Sequence, residues 1–269
     1  TGPTSITYGD PDATITTSGG SGDGDVTYSA GTSTACSILD GKLHVTSGTG
    51  TCEIVATKAA DANHLAATSD AATVTVGKAT LTVTGSSHTV AYGDPVPSID
   101  ATITGYVNGE IRATSDVTGS PSVTTTYTSA TSVSASPVAV SVAVGTLASS
   151  NYTFDYVAGA ITITKAAQAT LAVTGPTSIT YGDADATITT SGGSGDGDVT
   201  YSAGTSTACS IVDGKLHVTS GTGTCEIVAT KAADANHLAT TSDAATVTVG
   251  KADQATLDRK STRLNSSHV

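Results

Sequence analysis

STACSILDGKLHVTSGTGTCEIVATKAAD, running from Ser33 to Asp61, holds two cysteines, one Asp-Gly pair and short runs in which apolar side chains alternate with polar ones. Leu43 alternates with Val45, and Ile54 with Ala56. A period of two over four to six residues marks half-buried strands. Asp40-Gly41 stands between Ile38-Leu39 and Lys42-Leu43. That pair suits a two-residue hairpin whose central residues both need positive φ. Outward from this stretch the pattern continues, with Val26 and Tyr28 before it and Val74 and Val76 after it. Turn signals separate the runs at Gly19-Gly20-Ser21-Gly22 and Gly48-Thr49-Gly50, spaced as in a sandwich rather than in alternating helix and strand. Lys58–Ala67 tolerates a helix by composition but has no amphipathic stripe, so a turn or a single helical turn is expected there. The predicted fold class is all-β.

The cysteines test this layering. Cys36 is in phase with Ile38, and Cys52 with Ile54 and Ala56, so both thiols are expected to face the core. In a single meandering sheet the strand with Leu43 would lie between them and hold the sulfurs roughly 10 Å apart, too far to bond. A bridge therefore requires two strands facing each other across a sandwich. Cys36–Cys52 and Cys209–Cys225 are the expected disulfides, with two buried free thiols per copy as the alternative. A disulfide points to an oxidising, extracytoplasmic compartment. Two cysteines without close-spaced partners do not make a zinc site.

The second pair exists because the chain repeats itself. At an offset of 173, Thr1–Ala79 aligns with Thr174–Ala252, and 3 of the 79 positions differ: Pro11/Ala184, Leu39/Val212 and Ala67/Thr240. A unit of about 80 residues is too long for a solenoid repeat and has the size of a small domain. The segments close on similar phrases, VTVGKA at Ala79, ITITKA at Ala166 and VTVGKA at Ala252. The expected organisation is a sandwich at 1–78 lacking its first strand, a distinct β domain at 79–166, and a near-identical sandwich at 167–252. Gln168–Val173 (QATLAV) reads as the first strand of the third segment, and Gln254–Leu257 (QATL) reads as the start of a further repeat at 253–257. Within Asp258–Val269 (DRKSTRLNSSHV), Asp258–His268 reverse-translates to a sequence resembling a sequencing-library adapter read in frame. Asp258–Val269 is set apart as an artefact, and the chain is expected to be an internal fragment.

Composition excludes several functions. The 269 residues include one Phe, nine Tyr and no Trp or Met, which favours several small cores over one large core. Lys and Arg number 11 against 23 Asp and Glu, a net charge of -12. Without Asp258–Val269, 8 basic and 22 acidic residues remain, a net of -14. Nucleic-acid binding is not expected from such a surface. No apolar run reaches the length of a membrane-spanning helix.

Ser33–Asp61, repeated at Ser206–Asp234, resembles the bacterial immunoglobulin-like repeats of invasin- and intimin-type surface stalks. The order of strand, Asp-Gly turn, strand and Gly-Thr-x-x-Ile strand carries the resemblance. Thr89–Glu110 (TVAYGDPVPSIDATITGYVNGE) and Asn151–Ala166 (NYTFDYVAGAITITKA) resemble the MBG, or "mostly bacterial, glycine-rich", repeat. The phrase YGD opens at Tyr8, Tyr92 and Tyr181, one per segment. Both resemblances imply tandem immunoglobulin-like β-sandwich modules of secreted or surface-displayed bacterial proteins, and neither implies a catalytic residue.

Few motifs in the chain point to chemistry. GGSGDGDVTY at Gly19 and Gly192 is followed by a strand, so it is no phosphate cradle. It is also out of register for a calcium-binding β-roll. Asp23 and Asp25, with Asp10 or Asp12, and the equivalents Asp196 and Asp198, are weak Ca²⁺ candidates as oxygen ligands. Asp61 and Asp70 are weaker ones, and a solvated acidic loop is the competing reading. No G-x-S-x-G, H-E-x-x-H or Cys-His signature is present. His44 and His217 are expected to face outward beside Lys42 and Lys215, and His64, His88 and His237 to sit near turns. Tyr106, Tyr127, Tyr152 and Tyr156 are the only clustered aromatics for a sugar platform, and core packing is favoured for them because Tyr152 and Tyr156 are in phase with Phe154. Asn151-Tyr152-Thr153 fits a glycosylation sequon by pattern.

The sequence therefore points to a non-enzymatic, extracellular or cell-surface spacer that presents a distal adhesive domain and uses no cofactor. Its expected partners are neighbouring repeats of the same chain, and a monomer is expected. The alternative is an adhesin module contacting a glycan or matrix protein, with Ca²⁺.

Overall fold

A computed structural model describes residues 2–257 and is all-β, with one 3₁₀ turn at Val133–Ala135 among those residues. The adapter-like Asp258–Val269 lies outside the described residues.

In the first copy, one sheet runs Ala13–Thr14, Lys42–Val45, Cys36–Leu39. The other runs Val26–Ser29, Glu53–Lys58, Ala67–Thr68, with Ala72–Thr73 also on Glu53–Lys58. Ser5–Thr7 pairs in parallel with Thr75–Gly77. The Asp-Gly hairpin forms as expected: Leu39 pairs with Lys42, and Asp40 and Gly41 take φ of 49° and 73°. The disulfide joins the two layers. Cys36 begins a strand of one sheet, Cys52 directly precedes Glu53 of the other, and their Cα atoms stand 5.5 Å apart. Around it pack Leu43, Val45, Ile54 and Val74, all buried.

The middle segment is a second sandwich. Its three-stranded sheet runs Ala101–Thr104, Ala79–Gly85, Tyr152–Val157, and its four-stranded sheet runs His88–Ala91, Gly159–Thr164, Val138–Ala143, Ser122–Thr125. Alternation is clean where both neighbours are present. Ala79, Leu81, Val83 and Gly85 are buried along one strand, and Gly159, Ile161 and Ile163 along another.

The second copy repeats the first sandwich and its disulfide, Cys209–Cys225, with Cα atoms 5.4 Å apart. It also gains a strand, Ala172–Gly175, which pairs antiparallel with Thr189–Ser191. The strand expected at Gln168–Val173 thus begins four residues later. Gln168 and Ala169 bond instead to loop groups: Gln168 Nε2 donates to the Leu238 carbonyl and the Ala169 N–H to Ser194 Oγ.

Two compact units result. One comprises Thr1–Val90, Asp94–Ser129 and Ala135–Ile163, the other Ala91–Gly93, Ala130–Ser134 and Thr164–Val269. Within the first unit the initial sandwich and the middle segment share one hydrophobic cluster, from Ile6 and Leu43 through Leu81 to Tyr152.

Two side chains depart from the expected core. Val26 is 39% exposed, while its counterpart Val199 is half-buried. Val26 lines a groove that the first copy leaves uncovered. Tyr156 is 37% exposed although it shares the phase of Tyr152, because burial falls off along this edge strand.

Candidate functional site

The most connected polar cluster lies inside the first unit, where the initial sandwich meets the middle segment. Tyr8 comes from the first YGD turn, in which Gly9 has φ 89° and Asp10 Oδ2 accepts the Thr7 N–H at 2.8 Å. Its hydroxyl donates to Glu110 Oε1 at 2.7 Å, and the Tyr152 hydroxyl donates to Glu110 Oε2 at 2.5 Å. Charge-assisted O–H to carboxylate bonds of this length are the stronger kind. The Tyr152 ring meets Tyr8 and Tyr106 edge to face, with centroids 5.6 and 5.8 Å apart. Burial raises the Tyr8 and Tyr152 pKa values, and the Glu110 carboxylate adds to the effect. Both phenols therefore stay protonated as donors. Beside them, Asn151 Oδ1 accepts the Gly48 N–H, the Asn151 carbonyl accepts the Ala79 N–H, and Lys78 Nζ donates to the Ser149 carbonyl at 2.7 Å. Asp116 fixes that loop by accepting from Ser149 Oγ and from the N–H groups of Ser150 and Asn151. These groups satisfy one another in a packed contact that holds no nucleophile beside a general base.

The Gly-rich acidic loops are tied down by carboxylates. Asp61 accepts the N–H groups of Asp23, Asn63 and His64, with His64 Nδ1 3.0 Å away. The N–H bonds from Asn63 and Asp23 lower its pKa to about 2. Asp234 does the same for Asp196, Asn236 and His237, and its pKa is lowered further, chiefly by the Asn236 N–H. Oxygens so used act as internal anchors. Asp25 and Asp198 contribute backbone carbonyls, which accept from Ala59 and Ala232. Gly24 must be glycine, since a Cβ there would meet the Ala59 carbonyl oxygen at 2.1 Å. Asp70 is exposed at the rim of a groove. Among the described residues no group of three or more His, Cys, Asp or Glu is arranged to hold a metal ion.

The histidines that the pattern places outward have partners. His44 Nδ1 lies 2.7 Å from Asp12 Oδ1, and His217 repeats this with Asp185. His88 Nε2 is 3.0 Å from Ser86 Oγ. His237 stacks edge to face on Tyr92 at 5.3 Å. Of the clustered tyrosines, Tyr127 and Tyr152 are buried, at 2% and 1% exposure. Tyr106 keeps its hydroxyl out of solvent with no hydrogen-bond partner. The structure does not gather these rings into an open platform. Sequence reasoning missed Glu110, Asp116 and the carboxylate partners of the histidines. Glu110 lies 102 residues from Tyr8, and no local pattern signals such a pairing.

The middle segment is similar to a known family. Residues 81–162 match the family model of the MBG domain (YGX type). The match spans both sheets of the middle sandwich and includes Tyr92-Gly93-Asp94, Glu110 and Tyr152. No curated protein matches the chain. Among solved structures, the chain is similar to a crystal structure of Drosophila N-cadherin EC1-4. The identity is 9%, the match covers 91% of this chain and 72% of that one, and the TM-score is 0.23.

Proposed function

We propose that the chain is a non-enzymatic spacer segment of a secreted or cell-surface bacterial repeat protein. Immunoglobulin-like modules at 1–78 and 167–252 flank the MBG module at 79–166, and the array carries a distal adhesive domain away from the cell. The junction after the first copy carries this reading. The strand Thr75–Gly77 passes to Ala79–Gly85 through Lys78 alone. That junction is clamped by the Tyr8–Glu110–Tyr152 bonds and by Asn151 and Lys78. A one-residue connection with this many bonds resists bending, which is what a spacer requires. Disulfides in both copies suit an oxidising exterior, and the MBG match over residues 81–162 supports reading the chain as a repeat segment.

Small-angle scattering tests the proposal. Three modules of roughly 35 to 40 Å each, placed in line, give a maximum dimension of about 100 Å. A compact particle would refute it. A glycan array without hits, and a Ca²⁺ melting shift below about 1 °C by mass action, separate a spacer from a binding module.

A further inference from the structure

The turn that brings Glu110 to the first junction holds a reactive pair. Asn108 is the one asparagine of the chain that is followed by glycine. Asn108 and Gly109 are exposed, take φ of 56° and 70°, and are spanned by the bond from the Glu110 N–H to the Val107 carbonyl at 2.9 Å. This is the primed turn that Asn-Gly favours. A Cβ on Gly109 would meet nothing within 4 Å, so no neighbouring segment packs over the peptide nitrogen from that side. Asparagine is among the residues that decay chemically in such open positions.

The pair sits against the clamp between the two modules. The Tyr8 hydroxyl donates to Glu110 Oε1 at 2.7 Å, two residues beyond Asn108. Burial and Glu110 raise the Tyr8 pKa, whereas the Asn108 amide, close enough to donate to the phenol oxygen, opposes them. The amide, the phenol and the carboxylate therefore form one donor-to-acceptor chain, and Tyr152 donates to the second carboxylate oxygen at 2.5 Å. While the chain is closed, Tyr8 engages the Asn108 side chain and the Val107–Glu110 bond fixes the peptide that the side chain must meet. Loss of the amide would act back on the clamp. A carboxylate at position 108 has no proton to give the phenol oxygen at neutral pH, and its charge would repel that of Glu110.

We infer that Asn108-Gly109 is a self-modifying deamidation site gated by the clamp, whose product holds the clamp loosened. When the clamp opens, the Gly109 nitrogen attacks Asn108 Cγ. The new C–N bond closes a succinimide ring, the Cγ–Nδ2 bond breaks, and Nδ2 leaves as ammonia with the proton from the Gly109 nitrogen. Water then opens the ring, at Cγ to give aspartate or at the main-chain carbonyl to give isoaspartate. Either product carries one new carboxylate and lacks the donor to Tyr8, so the junction ages in one direction. All of these groups lie in the first compact unit, and the chemistry does not depend on the spacer reading.

Mass spectrometry of the aged full chain tests this. Trypsin releases Ala79–Arg112, which holds Asn108 as its only asparagine and contains no glutamine. A mass gain equal to the exchange of NH for O therefore reports this one site, and chromatography separates aspartate from isoaspartate. At neutral pH the parent is expected to convert slowly and Tyr8→Phe about fivefold faster, the factor for one lost hydrogen bond. The free peptide YVNGE (the sequence of Tyr106–Glu110) should convert fastest. Asn108→Asp, which copies the charge change, should lower the urea midpoint of the first unit and shift the amide resonances of Tyr8 and Tyr152, while circular dichroism shows the sheets intact. If Asn108 stays intact in both proteins while the peptide converts, the inference is overturned. Equal rates in the parent and Tyr8→Phe also overturn it, since the clamp would then be no gate. So does an Asn108→Asp protein with the midpoint and resonances of the parent.

Discussion

Removing the disulfide of the second copy isolates what the cross-layer bond contributes to a sandwich with few large side chains. Cys209 and Cys225 are separated by 16 residues in sequence. Chain-entropy scaling for a loop of that length gives about 3 kcal/mol of stabilisation through the unfolded state. For a module of 60–100 residues each kcal/mol moves the midpoint by about 4–8 °C, so the double variant Cys209→Ala/Cys225→Ala is expected to melt about 12–24 °C lower. Both side chains are buried, at 5% and 1% exposure, so truncation also removes packing, and the entropic figure is a lower bound. Reduction of the native protein with dithiothreitol separates the two contributions, because it opens the bond without removing an atom. Differential calorimetry of the double variant should show the transition of the second copy falling while that of the first, which keeps Cys36–Cys52, stays in place, whereas dithiothreitol, which opens both bonds, should lower both. A shift below about 3 °C under both treatments would mean that the layers hold without the bond, and the loop-entropy reasoning would be wrong.

The other predictions concern polar groups. Tyr152→Phe removes a donor to Glu110 and the acceptor of the Val107 N–H, which should cost about 1–3 kcal/mol in urea unfolding. Tyr106→Phe deletes a shielded hydroxyl that has no partner, so it should lie within about 0.5 kcal/mol of the parent or above it. Equal losses from the two variants would contradict the assigned roles. Asp61 has its pKa lowered to about 2 by backbone N–H groups, below the value of about 3.9 for an unfolded chain. Its contribution is therefore complete above pH 4 and is lost as the pH falls through about 2. The amide resonances of Asp23, Asn63 and His64 should follow that titration in NMR, and Asp61→Asn should abolish it. A midpoint near 4 in the native protein would show that the carboxylate does not hold the loop.

How far the sequence could be read depends on the range of the interactions. The Asp40-Gly41 hairpin, the alternation of Leu43 with Val45 and the cross-layer cysteines were legible, because turn chemistry and a two-residue period act over a few positions. Asp61 was read as a weak ligand rather than an anchor, although the bonds from Asn63 and His64 are local. An Asp followed two and three residues later by the donating N–H groups is the signal that reveals it. Glu110 and Asp116 were not legible, since their partners lie 33 to 102 residues away.

The duplicated sequence shows most directly why local reading runs out. Tyr8 is 7% exposed and bonded to Glu110, while Tyr181, with the same neighbours in sequence, is 51% exposed. Leu65 is 93% exposed and Leu238 51%. Asn236 accepts bonds from Ser132 and Val133, within a loop whose twin at Asp61–His64 is largely exposed. A propensity-based reading must assign each pair one environment, because its input is the same for both. What differs is which segment is threaded against each copy: the MBG sandwich on the Tyr8 end of the first, and Gln168–Val173 with the loop at 130–134 on the second. The first copy is thus covered around its YGD tyrosine, and the second along its Gly-rich loop. Replacing Glu110 with Gln should weaken the first junction while leaving both flanking sandwiches folded, because Glu110 lies in none of their strands.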